Sequence, residues 1–387
     1  MNITFCRSAL LFPALVLAAS CSAQTDGDSA AEPAETLTIK QEEMAQFEEP
    51  WAAAFIPGTP IMIVTEKGGS LSGIDTRTGN AIFVTGAPEV DYGGQGGLGD
   101  IAFLDSEAAV TLDDPRTIYL TWAEAGGGNT RGAVLGRGQL VCEDHQSCEV
   151  RDLEVIWTQT PKTSKRGHYS HRIAIAPDES YLFLASGDRQ ELEPAQDNDN
   201  TLGTIVRLNL DGTTPEGNPM AGEDAPTDQI WSYGHRNILG MDWDADGRLW
   251  DVEHGPAGGD ELNLVMRGAN YGWPTRSYGN HYDGRPIEDH TPDDGFTKPA
   301  IHWTPVIAPG DMVFYDGSMF EEWENNALIA GLQASALVRV SIDGDEVVEE
   351  ERIDVGARAR AVDIGPDGAV WVLTDGEEGK LIKMTAE

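Results

Sequence analysis

The sequence predicts an all-β fold, a six-bladed β-propeller, and three observations predict it. Gly and Pro recur throughout, and no long segment sustains a helical period. A pattern of apolar strand, acidic or Gly turn and second apolar strand returns six times, at 52–64, 101–122, 173–185, 241–252, 312–330 and 362–373. Three of these carry a shared signature, IAPDESYLFLASGD, DWDADGRLWDVEHG and DIGPDGAVWVLTDG, with Asp and often Gly in a hairpin turn. Units spaced by roughly 50 to 70 residues suit one four-stranded sheet each, the repeat of a propeller. A pair of β-sandwiches is the architectural alternative, but it would not account for the recurrence.

The domain is preceded by two other segments. Residues 1–20 carry Arg7 and then an apolar run over 9–19, too short to span a bilayer, and read as a signal peptide. Leu17-Ala18-Ala19-Ser20-Cys21 resembles a bacterial lipobox, which would make Cys21 a lipidated N-terminus; ordinary cleavage near Ala23 is the alternative. Residues 21–43, rich in Ala, Glu, Asp, Thr and Ser, have little to bury and read as an acidic tether. Residues 44–387 form the propeller domain. The expected location is therefore periplasmic, with a membrane anchor through lipid at Cys21.

Cysteine usage agrees with export. Cys6 leaves with the signal, and Cys142 and Cys148 in CEDHQSC stand close enough to form a disulfide in an oxidising compartment; two free thiols are the other reading. A lone CxxxxxC is poor spacing for zinc. The 65 acidic against 26 basic residues give a net charge of −39, which argues against nucleic acid and anionic membrane surfaces as partners.

The densest stretch, 230–274, holds more Gly, aromatic and charged residues than a strand and hairpin need. Arg236 and Asn237 in GHRN offer planar, multiply donating side chains suited to carboxylate or quinone oxygens. EHGPAGGDELN adds Gly-rich backbone carbonyls together with Asp260 and Glu261, hard oxygen donors of the kind calcium takes. An isolated acidic pair would be read as a solvated turn.

This stretch resembles the glucose/sorbosone dehydrogenase family, the PQQ-dependent soluble aldose dehydrogenases. Further motifs of that family follow in order: DYGGQGGLGDIAF, HYSHRIAIAPD, SGDR, TLGTIVRLNLDGTTPEGNP, WTPVIAPGDMVFYDG and GARARAVDIGPDG. The resemblance implies that His168 is the general base, with Asp188 beside it to orient the ring and stabilise the imidazolium. His171 stands where the family often has a small residue and reads as structural. Gln95, Arg236, Asn237 and Tyr282 match PQQ-contacting positions, as do Arg358 and Arg360, whose spacing puts both on one face of a strand. PQQ carries three carboxylates, a natural partner for arginines. Gly255 and Pro256 would offer carbonyls to an active-site calcium, and Glu261 with the Tyr271 carbonyl would hold a second, structural calcium.

Two positions depart from the family pattern. Gln333 stands where a lysine is usual and can still donate one hydrogen bond, and Ala361 stands where an Asp usually follows the arginine pair. The activity implied is oxidation of the anomeric hydroxyl of an aldose to the lactone, with electrons passed to an external acceptor, a small carrier or a cytochrome. No GxGxxG opens a βαβ unit, and no CxxCH binds haem. A calcium-stabilised scaffold propeller that has lost PQQ and a propeller lactonase are the competing readings.

Overall fold

Alternation and its absence separate the strands of each sheet. Second strands such as LFLAS (Leu182–Ser186), ALIAG (Ala327–Gly331) and VWVLT (Val370–Thr374) are buried along their whole length, whereas an outer strand such as EVVEEERID (Glu346–Asp354) is largely exposed. A continuous apolar run is what a strand sandwiched between neighbouring sheets requires. The computed structural model describes residues 37–387 apart from His145 and Asp345, and its strands form six four-stranded blades. Residues 50–85, 98–158, 170–233, 238–303 and 309–354 make five of them in chain order. Residues 359–386 supply three strands of the sixth, and its outer strand is Ile39–Phe47, paired with Gly379–Ala386. The ring is thus closed by hydrogen bonds between the two ends of the domain.

Each of the six expected strand pairs is the inner and second strand of one blade. The acidic turns work as hairpins: Asp244 accepts from the backbone N–H of Arg248 at 2.8 Å and Asp367 from that of Ala369 at 3.2 Å, with Gly247 and Gly368 at φ 73° and 78°. The tether, by contrast, ends earlier than expected. Residues 39–43 belong to the closing strand, held by its backbone ladder while most of its side chains stay exposed, so no apolar pattern announced it. The signal peptide, Cys21 and the tether up to residue 36 lie outside the described residues.

Apolar layers fill the spaces between blades. Ile63, Leu120 and Trp122 join the first two, Leu135, Leu184 and Val206 the next pair, and Met62, Trp371 and Leu373 the sixth to the first. The outer edges of the first two blades also pair in parallel over 83–85 and 147–149, where a Cys142–Cys148 disulfide crosses the hairpin. No helix among the described residues is long and apolar enough to cross a membrane.

Candidate active site

All six inner strands are irregular near their first residues. Register shifts fall between Pro50 and Ala52, Leu98 and Ile101, Ser170 and Ile173, Ile238 and Gly240, Pro309 and Asp311, and Ala359 and Ala361. A bulge re-aims side chains that would otherwise alternate. Here Trp51, His171, Leu239 and Arg360, from four different bulges, line one cavity of about 210 Å³. Arg172 ties the bulges together. Its guanidinium donates to Asp100 at 2.8 Å, to the Leu239 carbonyl at 2.5 Å and to the Gly310 carbonyl at 2.6 Å, and sits 4.3 Å from the Trp51 ring centroid.

His168 and Asp188 meet as a buried pair, Nδ1 to Oδ1 at 2.7 Å. Asp188 also accepts from Trp273 Nε1 at 2.7 Å and from the Gln190 N–H at 2.7 Å. Burial works against its charge, but the bond from His168 and the positive Arg236 hold its pKa below the usual carboxylate range. Burial lowers the His168 pKa, and Asp188 only partly offsets this, so the ring is a neutral imidazole at neutral pH. With Nδ1–H fixed on the carboxylate, Nε2 is the free basic atom. Gly187 makes the approach possible: a Cβ there would stand 2.2 Å from the His168 carbonyl oxygen.

Around this pair the other expected residues fall into three groups. Gln95 accepts from the His168 N–H at 2.6 Å, Asn237 Oδ1 accepts from the Ser170 N–H at 3.2 Å, and both line the 210 Å³ cavity with Arg358 and Arg360. Arg236 donates to the His254 carbonyl at 3.0 Å and to the Tyr282 hydroxyl at 3.3 Å; with His168, Pro256, Trp273 and Leu192 these two line an adjoining cavity of about 120 Å³. Tyr282 is 78% exposed at its mouth. Gln333 belongs to neither cavity: it is exposed, and its neighbour Leu332 lines the larger one. The carboxylate that Ala361 lacks is supplied from elsewhere, since Asp375 binds Arg358 at 3.1 Å and Arg360 at 3.0 Å.

The third group lies in the fourth blade. Gly255 could not be another residue, because a Cβ would stand 2.2 Å from the carbonyl oxygens of Gly258 and Gly259. Asp260, one of the expected oxygen donors, braces this loop by accepting from the N–H groups of Gly255 at 2.9 Å and Ala308 at 2.6 Å. Glu261 is buried beside Glu253, and burial with that like charge pushes its pKa well up. Tyr271 stacks on His235 at 4.4 Å and shares a small cavity with Glu253 and Glu261. His235, Asp251 and Glu253 converge within 4.8 Å, and buried Asp251 Oδ2 and Asn263 Oδ1 have no hydrogen-bond partner among the described residues.

Arg172, Asp375, Asp251 and Glu253 were not singled out in the sequence. Asp251 and Glu253 had a signal, two acids at alternate positions of an apolar strand and therefore on one buried face. Asp375 had none, since its partners are 15 and 17 residues away, Arg360 on the neighbouring strand and Arg358 just before it.

Comparison with known proteins places this chain in a family of sugar dehydrogenases. Residues 47–383 match the family described as glucose/sorbosone dehydrogenase. The chain is similar to aldose sugar dehydrogenase YliI of Escherichia coli, 36% identical over 345 residues covering 88% of this chain and 91% of that one. A crystal structure of the soluble aldose sugar dehydrogenase from Escherichia coli in its apo form superposes with a TM-score of 0.83 at 34% identity, covering 90% of this chain and all of that one. The PQQ-bound aldose sugar dehydrogenase of Streptomyces coelicolor shares the fold, with a TM-score of 0.74 at 24% identity over 92% of this chain and 100% of that one.

Proposed function

Since the chain belongs to the glucose/sorbosone dehydrogenase family, we propose that it oxidises the anomeric hydroxyl of an aldose to the lactone, using PQQ and calcium and passing electrons to an external acceptor. The observation that carries this reading is the buried His168–Asp188 pair beside a cavity walled by Arg358 and Arg360.

The residues present fit both groups. A cavity with two arginines and Lys67 on its wall, in a protein of net charge −39, suits a compact polyanion such as PQQ. Orphaned, buried Asp251 Oδ2 and Asn263 Oδ1 beside Glu253 and Glu261 suit a divalent cation with oxygen ligands. Glu261 and the Tyr271 carbonyl would hold the structural calcium, and the Gly255 and Pro256 carbonyls the active-site one. When bound, PQQ supplies an electrophilic quinone for the hydride and calcium polarises it.

The rest of the chemistry belongs to the chain. His168 Nε2 takes the hydroxyl proton as the lactone carbonyl forms, and Asp188 steadies the resulting imidazolium through Nδ1. Trp273 locks Asp188 from the other side, so the base cannot rotate away from the substrate. The small, mainly apolar cavity of Leu192, Pro256 and Trp273 next to His168 would seat the sugar. Export to an oxidising compartment is the reading that the Cys142–Cys148 disulfide suits, and a lipid at Cys21 is the anchor we propose with it.

The test is reconstitution. Metal-free protein given PQQ and calcium should gain the absorbance of a bound quinone and reduce an artificial dye when an aldose is added. Binding without aldose-dependent reduction would sink the enzymatic reading, and no binding would favour the scaffold.

A further inference from the structure

Lys67 stands between two openings. It lines the 210 Å³ cavity, whereas its neighbours Glu49 and Tyr92 line a groove of about 1130 Å³ formed by the first and sixth blades. Its backbone is fixed on both sides, the N–H donating to the Glu49 carbonyl at 3.0 Å and the carbonyl accepting from the Leu98 N–H of the second blade at 3.1 Å. The side chain is held more loosely. Nζ lies 3.5 Å from Glu49 Oε1, against about 2.8 Å for a well-made ammonium–carboxylate bond, and 6.0 Å from the Tyr92 ring centroid. Glu49 does not depend on it, because the Tyr92 hydroxyl donates to the other carboxylate oxygen at 2.5 Å. A partly exposed ammonium on a four-carbon stem, with a rigid backbone and a partner already served, can turn at little cost. The cavity gives it a reason to turn. Among the described residues no carboxylate lines that wall, and its other two cations, Arg358 and Arg360, are both tied to the single carboxylate of Asp375 at 3.1 and 3.0 Å.

We infer that Lys67 is a cofactor-binding residue, which leaves Glu49 when PQQ enters and places its ammonium on one of the cofactor's carboxylates. The inference rests on the functional reading above and deepens it. Arg358 and Arg360 meet the ligand from the sixth blade with guanidiniums that Asp375 holds in place. Lys67 meets it from the first blade with a compact charge that follows the ligand, so the trianion is gripped from two blades. Glu49 is then the resting partner, and it competes with the cofactor for the same ammonium.

The experiment is an equilibrium titration of the metal-free full chain with PQQ at fixed calcium, for the parent and for Lys67→Met, Lys67→Arg and Glu49→Gln. Met keeps an unbranched stem without charge; Arg keeps the charge. Lys67→Met should weaken binding by roughly five- to thirty-fold, and Lys67→Arg should recover most of that loss. Glu49→Gln should tighten binding by about two- to five-fold, and this gain should vanish in the Lys67→Met background, since it acts by freeing the ammonium. On the unmodified protein, PQQ should slow acetylation of Lys67 as followed by mass spectrometry, a readout independent of any variant's folding. Parent-like affinity of Lys67→Met with unslowed acetylation, or a Glu49→Gln gain that persists in the Lys67→Met background, would overturn the inference while leaving the function standing. Failure of the parent itself to bind would overturn both.

Discussion

The inner strands end differently from how they begin. At their first residues lie six bulges, four of which line the larger cavity, with left-handed residues and, among the described residues, unpaired buried polar atoms nearby; at their last residues the ladders are regular and carboxylates seal one blade to the next. There Asp242 accepts from the Phe314 N–H at 2.7 Å and Asp363 from the Phe55 N–H at 3.1 Å, and burial pushes both pKa values up to about 7. The same strands thus hold the ring together at one end and carry the candidate site at the other. Strain is tolerated near the cavities because register is already fixed by the far end and by fully buried second strands.

The largest expected effect lies at the strained end. His168→Ala should lower turnover by roughly two to four orders of magnitude, the range for losing a general base, while PQQ binding and melting temperature stay close to the parent's. In the parent, burial depresses the His168 pKa, so the base stays unprotonated as pH falls past the ordinary value of about 6.5. The acid limb of kcat/KM should therefore lie below that value and vanish in the variant. Normal turnover in the variant, or a limb well above 6.5, would mean another residue is the base.

Chelation comes next and also acts at the cavity end, where Glu261 and Tyr271 share a small cavity with Arg236 and Gly255. If calcium is held both by the loop at Gly255 and Pro256 and near Glu261 and Tyr271, its removal should abolish dye reduction and lower the melting temperature by on the order of 5 °C. Lost activity with unchanged melting would leave the catalytic ion and eliminate the structural one. Loss of neither, after verified metal removal, would eliminate both.

A smaller effect is expected at the regular end. The folded-state pKa of Asp242, about 7, stands above its unfolded value, so the folded protein retains a proton that the unfolded chain releases between about pH 4 and 7. Its contribution is present below the unfolded pKa and is lost as pH rises through 7. Asp242→Asn keeps an acceptor for Phe314 and carries no titrating proton. Its melting temperature relative to the parent should rise by a few degrees from pH 4 to pH 8. A difference independent of pH would show that Asp242 is not the protonated seal described here.

These two ends were unequally legible. Apolar runs and Asp-Gly turns exposed all six strand pairs, because they obey local rules of alternation and hairpin geometry. Candidate residues that motifs carried, His168, Asp188 and Arg236, lie together in the fold. What the sequence hid depends on contacts between strands: Arg172 gathers groups at residues 100, 239 and 310 from three other blades, and Asp375 reaches Arg358 and Arg360 across a hairpin of the sixth blade. The closing strand at 39–43 was hidden for a different reason, its stability residing in backbone bonds that leave no side-chain pattern.

The smallest expected effect is at Gln333, and there the fold revises what the sequence alone suggests. A lysine added to a pocket of arginines would be expected to tighten binding of a trianion by about 1 to 3 kcal/mol, the scale of a buried charged hydrogen bond. Gln333, however, is exposed, and Leu332 occupies the cavity wall at that point. Exposed charges interact through water and are screened by salt, so Gln333→Lys should gain at most about 1 kcal/mol, less than roughly a six-fold tightening. The measurement is a PQQ titration of parent and variant at fixed calcium, in low and in high salt. A modest gain that fades in high salt places the position on the rim, outside the binding surface proper. A gain of tens-fold that survives salt would mean that the side chain folds into the cavity around its ligand, and the boundary drawn here between rim and wall would have to move to include residue 333.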